Sequence, residues 1–158
     1  MMNEFIINNI NNFIGKNNVN SIYRGKDKND NWHIGYLLFK ENKPYILNSL
    51  NFIECEVLES TICRCTGEKL SEHSYIFEGD IISWYCDWDG LDGFSHSCKE
   101  QGYVIWSDYN KSFKIVVEGD TLNWDDVFLS SDTNNIWIVG NIYDNYELVD
   151  NINNLLND

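Results

Sequence analysis

The side chains able to do chemistry fall into four groups, and cysteine comes first. The chain carries Cys55, Cys63, Cys65, Cys86 and Cys98. Cys63-x-Cys65 with Cys86, Cys98 and His96 would be the raw material of a zinc site. Structural zinc usually takes cysteines two to four residues apart, so this pair is spaced too tightly. Strand alternation instead puts both thiols on one face, as core side chains. We therefore expect no metal and no cofactor. The second group is DWDGLDG, with Asp87, Asp89 and Asp92. A calcium loop wants glycine at its sixth position and a closing Glu. Here Gly90 is fourth and no Glu follows. The segment reads as an acidic loop, and Trp84, Trp88 and Phe94 lie among its acids. Aromatic anchors beside carboxylates suit a protein interface with a basic partner. FSHSC, the third group, brings Ser95, His96, Ser97 and Cys98 together, but neighbours in sequence do not make a nucleophile–base pair, and no Gly-x-Ser-x-Gly elbow is present. His33 and His73 have no evident catalytic partner and read as surface or hydrogen-bonded residues. Last come Arg24 and Arg64, the only arginines. If both faced one cleft with Tyr23, Trp32 or Trp106, they would clamp a nucleotide-like ligand by bidentate and stacking contacts.

These groups need a scaffold, and composition bounds it. The 158 residues suit one domain, and 43% hydrophobic content supports a core. Lys and Arg number 11 against 25 Asp and Glu, a net charge of −14. That field repels a phosphate backbone and attracts a basic protein. The odd cysteine count and an N-terminus, MMNEFIINN, without a basic region predict reduced thiols in a cytoplasmic protein. No apolar run is long enough to span a membrane.

Along the chain, Ile6, Ile10, Phe13 and Ile14 have helical spacing, with Gly15 as the stop. From Asn20 the period becomes that of strands. SIYRG, WHIGYLLFK, PYILN, NFIECEV and STICRC follow one another, separated by polar turns such as KDKNDN and ENK. FEGDIISWYCDW turns at Gly79–Asp80, where the flanking Glu78 and Asp80 are expected to hold backbone N–H groups. DGLDGFSHSCKEQ reads as a long loop. GYVIWSD and SFKIVV form a hairpin across Tyr109–Lys111, and NIWIVGNIY is the last strand. Gly140 inside that strand marks a bulge or a close backbone approach. Asp144 and Glu147 have capping-box spacing, and Leu148, Ile152, Leu155 and Leu156 form a helical stripe.

In order and spacing these landmarks resemble the YopX family of phage and prophage proteins. SIYRGKDKNDNWHIGYLLFKENKPYIL is similar to that family's opening, and FIECEVLESTICRCTG to its next block. FEGDII is similar to its Glu-Gly-Asp hallmark, GYVIW with SFKIVV to its hairpin, and IWIVGNIYDNYELV to its C-terminal signature. The chain departs from the family after Thr66-Gly67, which here leads into EKLSEHSY. It departs again before the last helix, where Tyr146 replaces the usual proline. The N-terminal helix is an addition.

The expected fold is mainly β: a small curled sheet or partly open barrel with short N- and C-terminal helices. Residues 1–19 would be a helical extension, 20–150 the YopX-like β domain, and 151–158 the end of the terminal helix. The resemblance implies phage or prophage origin and self-association as a homo-oligomer, with no catalytic residues. The function expected from it and from the charge is that of a non-enzymatic accessory protein in the bacterial cytoplasm. It would bind and block a basic host protein, a nucleic-acid-handling or defence component as an anti-CRISPR does, through Trp84, Asp87, Trp88, Asp89, Asp92 and Phe94. The alternative is an oligomeric sponge for a nucleotide-derived immune signal, bound by Arg24, Arg64, Tyr23, Trp32 and Trp106. An uncharacterised enzyme ranks third.

Overall fold

Two-residue type I′ hairpins between right-twisted strands need both turn residues in the left-handed region. Glu41 and Asn42 supply this, with φ of 50° and 62°. They join β2 (Trp32–Lys40) to β3 (Lys43–Leu47), pairing Lys40 with Lys43. The computed structural model describes residues 22–71, 74–89, 95–125, 127 and 136–153, and it is mainly β. The expected N-terminal helix, together with Leu155 and Leu156 of the apolar stripe, lies outside the described residues. The chain divides into two compact units, Met1–Phe77 and Glu78–Asp158.

In the first unit, β1 (Ile22–Lys26), β4 (Glu54–Glu56), β5 (Cys63–Ser71) and β6 (Ser74–Phe77) join β2 and β3 in one antiparallel sheet, ordered β4-β3-β2-β1-β5-β6. The sheet curls strongly into a half-barrel. Ile46, Val57, Cys63, Cys65 and Ile76 are buried in this unit. Cys63 and Cys65 are core thiols, as alternation requires, and Cys63 Sγ donates to the Thr61 carbonyl at 3.3 Å. β5 runs on through Gly67–Lys69, with register irregularities at its pairing to β6.

The second unit holds β7 (Asp80–Asp89), β8 (Ser95–Ser107), β9 (Ser112–Val117), β10 (Asp120–Asn123) and β11 (Ile136–Asn141), ordered β10-β9-β8-β7-β11. Every residue from Asp80 to Trp84 is buried, so β7 is covered on both faces. One face meets α1 (Tyr146–Asn153), whose Val149 packs on Ile81 with Tyr103, Val139, Ile142 and Leu148 around it. The segment expected to be a long loop after Asp87 is shorter. The β7–β8 ladder continues to the Asp89–Ser95 pair, because backbone pairing carries on past the apolar pattern that marks a strand in sequence.

Gly140 marks a bulge, one of its two expected roles. The β11–β7 register shifts between Ile138 and Gly140. A Cβ at Gly140 would also lie 2.2 Å from Asn145 Oδ1, which accepts the Asn141 N–H at 3.1 Å. Asn141 in turn accepts the N–H groups of Tyr143 and Asp144, both at 3.0 Å. The two asparagines thus weld strand end to helix start. The helix begins at Tyr146, which makes Asn145 rather than Asp144 the cap position. Glu147 remains in the first turn, where its charge suits the helix N-terminus.

Candidate functional site

On the face of the second sheet that α1 partly covers, the register aligns Ser83 with Trp137 and with Gln101, and Tyr85 with Lys99. Ile81 and Tyr103, under the helix, share this face by alternation. Beyond them the surface changes character. Tyr85 is 46% exposed, and its ring lies 5.4 Å from that of the half-buried Trp137. The Lys99 ammonium stands 5.3 Å from the Trp137 ring centroid, within cation–π range. Ser83 Oγ donates to Gln101 Oε1 at 3.3 Å. The result is an accessible aromatic pair on the adjacent strands β7 and β11, one ring of which already faces a cation from β8. Sequence reasoning passed over Tyr85 and Trp137. The signal was there in the strand phase: if Trp84 points inward, Tyr85 points to the opposite face.

The residues expected to bind a partner separate accordingly. Trp84 is only 3% exposed and belongs to the core, so it is withdrawn as a surface anchor. A ring of that size, with strands on both sides of β7, is drawn in by its buried area. Asp87, Trp88 and Asp89 lie on the path of β7, opposite Ser97, His96 and Ser95, in a ladder rather than a loop. Asp92 and Phe94 lie outside the described residues.

The ligand clamp is only partly assembled. Arg24 stacks between two rings, 4.7 Å from the Trp32 centroid and 4.9 Å from that of Phe77, and Lys26 Nζ stands 5.3 Å from Trp32. Arg64 is not in this stack. Tyr23 opposes Arg64 while Arg24 opposes Cys63, so the two arginines lie on opposite faces of the sheet. The condition that both face one cleft is therefore not met in this unit. Trp106 belongs to the second unit. There its ring packs edge-on against Phe113 at 5.0 Å, and its indole N–H donates to Asp108 at 3.2 Å. Glu78 holds a backbone N–H as expected, that of Trp106 at 3.3 Å. Among the described residues no three His, Cys, Asp or Glu side chains converge in a way that would hold a metal ion.

His33 is a hydrogen-bonded histidine. Its Nε2–H donates to Asp27 Oδ2 at 3.0 Å, and Asp27 Oδ1 accepts the N–H groups of Asn29 and Asn31 at 2.8 and 3.0 Å. The His33 bond, followed by the Asn31 N–H, holds the Asp27 carboxyl far below its ordinary value of 3.8. A depressed carboxyl stabilises the fold above its unfolded value, and that contribution is lost as pH falls toward the folded one. We expect Asp27→Asn to destabilise the protein clearly at neutral pH. The gap from wild type should then close as pH falls below about 4. Melting curves at pH 7 and pH 3 measure it, and a gap of constant size would contradict this role for Asp27.

The described residues thus define an antiparallel β protein with an aromatic surface beside its longest hairpin. No described helix is long and apolar enough to cross a membrane. Comparison with protein-family models, with curated proteins and with solved structures finds no match for the chain.

Proposed function

We propose that this chain is a non-enzymatic accessory protein of YopX-like, phage or prophage type that binds and occupies a basic protein of its host. The carrying observation is the Tyr85–Trp137 pair, accessible on a chain of net charge −14. The global field steers a basic partner inward and speeds encounter. The rings would supply the short-range contact, of the kind that Lys99 makes within the chain, an ammonium over the Trp137 face. A partner's lysine or arginine would stack on Tyr85 in the same way. A target that normally holds nucleic acid in a basic groove, such as a nucleic-acid-handling or defence component, has the complementary charge. Along β7, Asp87, Trp88 and Asp89 follow Tyr85 in the ladder with β8.

The test is capture from host lysate with the full chain. We expect a partner retained at low salt and released at high salt, since screening shortens the reach of the field. Tyr85→Ser and Trp137→Ser should each weaken its retention at least tenfold while leaving the circular-dichroism spectrum unchanged. Retention of nothing at low salt, or equal retention by both variants, would remove the proposal.

A further inference from the structure

The β7–β8 ladder sets Cys86 directly opposite Cys98. Opposed residues in an antiparallel pair have Cα atoms about 4.5–5.5 Å apart. A disulfide spans Cα separations of about 4.4–6.8 Å. Among the described pairings no other two cysteines oppose each other: Cys55 faces Ile46, Cys63 faces Arg24 and Cys65 faces Phe77. Access differs as well. Cys63 and Cys65 are 0% and 1% exposed, whereas Cys98 is a half-buried thiol whose Sγ lies 3.3 Å from Glu100 Oε1. That carboxylate oxygen accepts the thiol hydrogen.

We infer that Cys86 and Cys98 are a dithiol site, oxidised by peroxide to a cross-strand disulfide. Cys98 sulfur attacks one peroxide oxygen and the O–O bond breaks. The departing hydroxide takes up the thiol proton as water, leaving a sulfenic acid on Cys98. Cys86 sulfur then attacks Cys98 sulfur, the S–O bond breaks, and a second water leaves with the Cys86 proton. Two thiols lose two electrons in all, and one hydrogen peroxide becomes two waters. The ladder supplies the register, so the second step needs no rearrangement of the strands. The inference is independent of the partner-binding proposal.

The experiment treats the native full chain with hydrogen peroxide, quenches with acid, alkylates remaining thiols under denaturing conditions and maps the peptides. The expected product has lost two hydrogens by intact mass and links Cys86 to Cys98, with Cys55, Cys63 and Cys65 alkylated. Dithiothreitol reverses it. Cys86→Ser and Cys98→Ser each abolish the link, and Cys55→Ser keeps it. The inference is overturned if all five cysteines remain alkylatable after peroxide. It is equally overturned if Cys98 gains oxygen without cross-linking, or if the link joins any other pair or two chains.

Discussion

Replacing Gly35 with alanine is expected to lower the melting temperature by about 10 °C, the shift that about 3 kcal/mol produces in a chain of this size. A Cβ at Gly35 would lie 2.0 Å from the Leu47 carbonyl oxygen and 2.7 Å from its carbon. These are backbone atoms of β3, the neighbouring strand, so no side chain can rotate out of the way. The strands must separate, and the Tyr36–Leu47 pairing next to this point is lost first. Thermal unfolding followed by circular dichroism measures the effect. A variant melting within about 2 °C of wild type would mean that the two strands do not approach as described.

The second large effect contrasts neighbours. Trp84→Ala should cost about 3–5 kcal/mol, as removal of a fully packed indole does. Tyr85→Ala, one residue along and nearly half exposed, should cost about 0.5 kcal/mol. The order should reverse for partner retention, where Tyr85 matters and Trp84 acts only through folding. Urea titrations of the two variants decide the first comparison. Similar midpoints would show that Trp84 is not the buried residue of the pair.

The same pair shows what was readable from sequence. The strands themselves were, because short apolar runs bounded by Asn, Asp and Gly carry a local signal. The Glu41–Asn42 turn, the hairpin across Tyr109–Lys111 and the core placement of Cys63 and Cys65 all follow from residues near each other in the chain. Phase relative to the core was harder. SWYCDW holds aromatic residues at adjacent positions, and only the sheet decides which of Trp84 and Tyr85 is inside. The arginines failed for a related reason. Arg24 and Arg64 belong to strands far apart in sequence, and a register displaced by one residue would have put them on the same face. No local pattern fixes that displacement. The length of the β7–β8 ladder was hidden because DWD and SHS are polar, while backbone pairing is indifferent to polarity.

In each sheet a single pairing joins strands that are not consecutive along the chain: β1 with β5, and β7 with β11. Every other pair closes through a short connection and can form early in folding. The two distant pairings must first bring remote stretches of a loose chain together, at an entropic cost that local hairpins avoid. The pace at which a newly made molecule becomes functional is therefore set by two ring closures, one for each unit.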